Sequence, residues 1–69
     1  MTIDDAKSGR RTIIDALGNP FPGWFVNISI DHNNDGSFAI SMDVKDSALA
    51  QQFFTDNNIV VPCSFNVVS

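Results

Sequence analysis

The chain has few of the residues that form disulfides or metal sites in small proteins. Its 69 residues include one cysteine and one histidine, Cys63 and His32, and no glutamate or tyrosine. An internal disulfide and a zinc site built from cysteines and histidines are therefore excluded. A chain of this length buries only about 60% of its unfolded surface. We expect one domain that either packs its own core efficiently or buries apolar surface against a partner or a second copy.

Long apolar runs and a basic leader are also missing. No stretch reaches the roughly 18 apolar residues of a membrane-spanning helix, and the opening "MTIDDAKSGR" does not resemble a secretory signal. The hydrophobic fraction of 43% is typical of a folded domain. We therefore expect a cytoplasmic protein that makes no membrane contact.

Positive charge is scarce and lies near the N-terminus. The net charge is −4, and all eight acidic residues are aspartates. From Thr12 onward Lys45 is the only cation, against six aspartates. Such a surface repels nucleic acid and attracts basic proteins, although an aspartate surplus can also serve solubility alone.

The strongest pattern in the sequence predicts a β-hairpin. Apolar and polar residues alternate in "WFVNISIDH" and again in "SFAISMDVK", as in two half-buried antiparallel strands. A three-residue loop, 34–36, keeps apolar residues opposite one another and puts Gly36 at a left-handed position. The partners are then Ile30 with Ile40, Ile28 with Met42 and Val26 with Val44.

The region before the hairpin allows two interpretations. We predict a flexible N-terminal segment, 1–10, followed by a single domain, 11–69, that opens with a strand over "RRTIIDAL" because β-branched residues favour strands. The alternative is a helix opened by a Thr2–Asp5 capping box, in which Gly9 would cost about 1 kcal/mol. The prolines and glycines of "GNPFPG" end either element.

After the hairpin, "DSALAQQFFTDNN" predicts a helix capped by Asp46 or Ser47. The final run "IVVPCSFNVV" predicts a strand, which Pro62 places at a sheet edge or a bulge. The predicted fold class is α+β: a small antiparallel β-meander of three to four strands with one helix packed on one face.

The chemical motifs are weak. Asp31, Asn33, Asp35 and Gly36 match the opening of a calcium loop, but Met42 stands where an EF-hand needs a bidentate glutamate. We therefore interpret the stretch as a turn, with a calcium-dependent module as an alternative. A pairing of the lone cysteine with the lone histidine lacks a third orienting group. We predict no enzyme activity, no cofactor and no resident metal.

The aromatic residues suggest a protein interface instead. Phe25 alternates out of phase with Trp24, so it is predicted to face away from the hairpin core. It is then either a structural residue under another segment or an anchor in an interface ringed by aspartates. The residues that we predict to bind a partner are Phe21, Phe25, Asp31, Asp35 and Asp43.

The tract "IIDALGNPFPGWFVNISID" resembles a bacterial polymorphic-toxin immunity family, immunity protein family 53. Asn19, Pro20, Gly23 and Trp24 match its turn, with Phe21 and Pro22 as an insertion. Cys63 matches a cysteine on a later strand of that family, whereas its Trp-rich opening segment is missing here. The resemblance covers about the middle third of the chain. It implies a small acidic protein that neutralises a toxin domain and has no catalytic residues.

These observations predict a small acidic protein-binding module of bacterial or phage type, an inhibitor or immunity protein. Its partner would be a protein with a basic surface, such as a nuclease toxin or a nucleic-acid-binding enzyme, and not nucleic acid itself. The alternative is a structural homodimer or larger homo-oligomer that pairs through strand edges.

Overall fold

The computed structural model describes residues 1–68 of the chain. The fold class is α+β, as predicted, with two helices and a three-stranded mixed sheet of strand order β1–β2–β3. The elements are α1 (Ile3–Leu17), β1 (Phe25–His32), β2 (Phe38–Val44), α2 (Ser47–Asp56) and β3 (Ser64–Val67).

The region before the sheet is the helix α1, so the predicted strand over residues 10–17 is wrong. The Thr2 side chain caps the helix by accepting the backbone N–H of Asp5 at 3.2 Å, and Gly18 ends it with a φ of 77°. The predicted boundary at residue 10 falls inside this helix. Helical spacing explains the outcome, because one stripe is buried: Ala6, Gly9, Ile13 and Leu17.

The hairpin of β1 and β2 forms with the predicted loop and most of the predicted register. The N–H of Asn33 donates to the carbonyl of Ser37 at 2.9 Å, which closes a three-residue loop, and Gly36 has a φ of 86°. The pairs Ile30–Ile40 and Ile28–Met42 are confirmed. The pair Val26–Val44 is wrong, because a bulge between Phe25 and Asn27 sets Phe25 opposite Val44 instead.

The predicted helix after the hairpin is confirmed as α2. Its N-cap is Asp46, whose carboxylate accepts the N–H groups of Ala48 and Leu49. The chain then returns as β3, which begins after Pro62 and lies at a sheet edge.

The predicted antiparallel meander with one helix is wrong, because β3 runs parallel to β2 and two helices are present. A crossover through α2 carries the chain back to the starting end of β2, which makes the parallel pairing possible.

Both helices pack on one face of the sheet, which we call the inner face. In α1, Gly9 lies against Ile40 of β2, and the ring of Phe54 in α2 meets that of Phe65 in β3 at 5.2 Å. The side chains with the least exposure belong to this layer: Ala6, Ile13, Ile40, Met42, Val44 and Ala50. No helix within residues 1–68 packs on the opposite face, which we call the outer face.

Candidate protein-binding surfaces

The outer face of the sheet is polar and acidic. Because side chains alternate across a strand and paired residues share a face, the register fixes its members. They are Asn27, Ser29 and Asp31 of β1, Ala39, Ser41 and Asp43 of β2, and Ser64 and Asn66 of β3. The three strands, all within the described residues, contain no lysine or arginine. The outer face therefore presents negative charge without neighbouring positive charge from its own strands.

Asp43 lies at the centre of one row of this face. Asn27 pairs with it from β1, and Asn66 pairs with it from β3, where the Asn66 amide donates to Oδ1 of Asp43 at 3.5 Å. In the next row the hydroxyls of Ser29 and Ser41 are 3.1 Å apart. These bonds order the outer face while leaving Asp43 acceptor capacity for a ligand.

Asp31 is exposed on the same face, four residues further along the hairpin. At the usual rise along a strand and spacing between strands, this places Asp31 and Asp43 about 14 Å apart. Two of the predicted partner-binding carboxylates therefore share one surface.

Three of the four lysine and arginine side chains lie on the other side of the molecule, whereas Lys45 directly follows β2. Lys7, Arg10 and Arg11 all lie on α1, which covers the inner face. The side chain of Arg11 forms an exposed ion pair with Asp15, with 3.2 Å between nitrogen and oxygen. Exposed pairs of this kind contribute little to stability. Because Asp4, Asp5 and Asp15 lie on the same helix, the ionised side chains of α1 balance one another.

The third predicted carboxylate, Asp35, lies at the tip of the hairpin. Its Oδ1 accepts the hydroxyl of Ser37 at 2.6 Å and the N–H of Ser37 at 2.9 Å. These bonds hold the pKa of the Asp35 carboxyl below its usual value, and the bond from the hydroxyl has the larger effect. Asn33 donates its amide to the same hydroxyl at 3.0 Å. Two of the residues that resemble a calcium loop, Asn33 and Asp35, are thus both bonded through their side chains to Ser37.

The predicted aromatic anchors lie at the other end of the hairpin. The rings of Phe21 and Phe25 have their centres 5.0 Å apart, and Phe21 is 51% exposed. The prediction that Phe25 faces away from the core is wrong, because the bulge turns it to the inner face, opposite Val44. Ile14 and Val26 line the same shallow groove. We call Ile14, Phe21, Phe25 and Val26 the aromatic patch.

The five predicted partner-binding residues therefore form no single cluster. Asp31 and Asp43 share the outer face, Asp35 extends from the hairpin tip, and Phe21 and Phe25 flank the inner face near Asp43. Asn27 and Asn66 were missed. The alternation of β1 could have indicated Asn27, whereas Asn66 needed the parallel register of β3.

The cysteine and the histidine lie in unfavourable places for joint catalysis. Burial raises the pKa of the Cys63 thiol to about 11, so it is protonated at neutral pH. His32 stacks on Phe38 with ring centres 4.9 Å apart at the end of β1, whereas Cys63 directly precedes β3. Because β2 lies between β1 and β3, the two residues sit on opposite sides of that strand.

No protein-family model, curated protein or solved structure matches the chain significantly. Within residues 1–68, no helix is long and apolar enough to cross a membrane. In the same residues, no group of three or more histidine, cysteine, aspartate or glutamate side chains is arranged to hold a metal ion.

Proposed function

We propose that this protein is a small acidic protein-binding module that inhibits a partner with a basic surface. The observation that carries the proposal is the uncovered outer face, where Asp31 and Asp43 stand among amides and hydroxyls on strands without a cation. A nuclease toxin or another nucleic-acid-binding enzyme has the complementary surface, because it must attract phosphate groups.

Charge on the outer face steers the encounter. Complementary potentials raise association rates and disfavour wrong partners, and these effects weaken as salt screens the charges. Asp35 extends the acidic surface beyond the end of the strands. An inhibitor that covers a basic substrate-binding surface with carboxylates excludes the substrate from it, so it needs no catalytic residue of its own.

The aromatic patch supplies the short-range part of binding. Aromatic side chains that enter a desolvated pocket contribute a large share of affinity in many interfaces. Phe21 is the exposed member, and Phe25 supports it from the core side. Asn27 lines the groove of the aromatic patch and pairs with Asp43 on the outer face, so a partner that reaches around the start of β1 can contact both Phe21 and Asp43.

The resemblance to immunity protein family 53 fits the same proposal. The matching residues Asn19, Pro20, Gly23 and Trp24 form the connection into β1, and the Trp24 ring packs 5.6 Å from that of Phe53 in α2. That family carries a strand before this turn, whereas α1 stands there in this chain. The proposal therefore depends on the surface charge and not on the turn tract.

Paired charge-neutralising variants test the proposal. The probes are purified bacterial nuclease toxin domains of basic pI, measured by calorimetry and by inhibition of their nuclease activity. The double variant Asp31→Asn with Asp43→Asn should weaken binding by about tenfold or more and flatten its salt dependence. The control, Asp4→Asn with Asp15→Asn, removes the same charge from the helix side and should change affinity by no more than about twofold.

Two results would contradict the proposal. Equal losses in both double variants would show that net charge, and not the outer face, determines binding. Failure of every basic probe to bind at low salt would show that the outer face is not a binding surface for such proteins.

A further inference from the structure

The edge of β1 that lies away from β2 presents unpaired backbone groups. The hydrogen bond from Asn33 to Ser37 shows that odd-numbered residues of β1 direct their N–H and C=O groups toward β2. The N–H and C=O groups of Ile28, Ile30 and His32 therefore point away from the sheet. Within residues 1–68, neither the strand ladders nor the loop hydrogen bonds reach them. We call this the open edge.

The open edge has few of the usual protections against strand pairing, with Asp31 as the one acidic side chain of its strand. Edge strands are commonly blunted by lysine, proline, bulges or short length. The eight residues of β1 contain neither lysine nor proline, and the bulge affects only its start, so residues 27–32 pair regularly with β2. The other edge strand, β3, has only four residues and follows Pro62. The open edge of β1 is thus the longer and more regular template.

We propose that β1 pairs antiparallel with β1 of a second copy about a two-fold axis at Ser29. Backbone geometry requires even-numbered residues to pair with even-numbered residues, and this axis pairs Ile28 with Ile30 in both directions. It also places Asp31 of each copy opposite Asn27 of the other, so that an amide meets each carboxylate. An axis at Asp31 would instead oppose two carboxylates, which is unfavourable.

The same axis would bring together the apolar side chains that lie beside the open edge. Ile28 and Ile30 are half-buried, and Val26 is 45% exposed at the border of the aromatic patch. In the dimer Val26 lies opposite His32 of the partner subunit, and the isoleucines of the two copies pair directly. Exposed apolar surface of this kind marks association sites when it lies next to a binding element.

The dimer would be a six-stranded sheet with one continuous outer face. That face would carry Asp31 and Asp43 from both copies, so the proposed acidic surface would double in area. The dimer does not rest on the proposed function, although both use Asp31, because the mass of the chain alone reports the dimer and a basic probe reports inhibition. The two can therefore fail separately.

Two asparagines on the outer face provide a matched test. Asn27 and Asn66 both flank Asp43, but only Asn27 borders the open edge. Sedimentation equilibrium of the full chain should show a monomer–dimer equilibrium. Asn27→Lys adds two charge pairs with Asp31 across the axis and should lower the dimer Kd by about 2- to 30-fold at low salt. Asn27→Asp should raise it by a comparable factor.

The control variants Asn66→Lys and Asn66→Asp should leave the dimer Kd within about twofold. Thermal unfolding of each variant checks that the fold is intact. A mass that stays monomeric at every concentration up to the millimolar range would overturn the proposal. So would a dimer that responds equally to the Asn27 and Asn66 variants, because that result would place the interface elsewhere.

Discussion

The two faces of the sheet differ in the kind of side chain that β2 presents to them. On the inner side of β2, Ile40, Met42 and Val44 are at most 1% exposed beneath the helices. On the outer side, Ser41 and Asp43 from the same strand are partly exposed. Ser41 bonds to Ser29, and Asp43 bonds to Asn66. The two-residue period of a strand thus separates residues that hold the fold from residues available to a partner. Substitutions on the outer side should therefore cost much less stability than truncations on the inner side.

The largest expected effect tests the inner side of this comparison. Truncating a fully buried methionine removes apolar burial and leaves a cavity, so Met42→Ala should lose about 2–5 kcal/mol of unfolding free energy. Its outer-face neighbour Ser41→Ala loses only a hydroxyl bonded to Ser29 and should cost about 0.5–1.5 kcal/mol. Urea unfolding followed by circular dichroism measures both.

A domain of this length is typically stable by about 3–10 kcal/mol, so Met42→Ala can leave the chain largely unfolded. Met42→Leu keeps the volume and should cost less than about 1.5 kcal/mol, which keeps the measurement in range. If Ser41→Ala destabilised the protein as much as Met42→Ala, the division between the two faces would be wrong.

The second prediction concerns how closely α1 approaches the sheet. A Cβ on Gly9 would lie 2.6 Å from Cγ1 of Val61 and 3.0 Å from Cδ1 of Ile40. Alanine favours a helix over glycine by about 1 kcal/mol, but overpacking a core costs about 1–3 kcal/mol. Gly9→Ala should therefore lower the unfolding free energy by up to about 2 kcal/mol.

The neighbouring position isolates the packing effect. Ser8 is exposed on the same helix, so the variants Ser8→Gly and Ser8→Ala measure the helix preference alone. In the background Val61→Ala, which removes the nearest methyl groups, Gly9→Ala should become less costly. If Gly9→Ala stabilises the protein as much as the Ser8 comparison does, the close approach does not constrain the helix.

These contacts also explain how far the sequence predicts the structure. The hairpin is determined locally, since the pairing of Ile30 with Ile40 follows from alternation and the turn chemistry of Gly36. The helix α1 is not, because Gly9 is unfavourable for an isolated helix and becomes useful only when Val61 packs against it. Local preference for strand at Thr12 and Ile13 was therefore outweighed by long-range packing.

The candidate site shows the same limit. Alternation of polar residues predicts that Asn27, Asp31 and Asp43 face outward together. It does not reveal the bulge, which brings Phe25 to the inner face. Nor does it reveal the parallel return of β3, which brings Asn66 beside Asp43. A crossover connection depends on where α2 packs, and local sequence patterns carry little of that information.

The smallest expected effect lies at the hairpin tip, outside both faces. Because the hydrogen bonds from Ser37 lower the pKa of Asp35 in the folded state, they stabilise the fold when this carboxyl is ionised. That stability is fully present above the usual pKa of 3.8 and is lost as the pH falls through the lowered folded-state value. Ser37→Ala removes the stronger of the two bonds, so the pKa of Asp35 should rise toward its usual value, as an NMR titration of its carboxyl carbon would show.

The corresponding loss of thermal stability in Ser37→Ala should be largest at neutral pH and shrink in strong acid to the pH-independent part that comes from the lost Asn33 bond. Ser29→Ala is the matched control, because it removes a serine hydroxyl that bonds another serine and no carboxylate. Its loss should be the same at every pH. If the two variants showed the same pH profile, the turn would not depend on the charge of Asp35. The hairpin tip would then contribute to the fold through its backbone and the neutral bond between Asn33 and Ser37, and the Asp35 charge would be available to a partner.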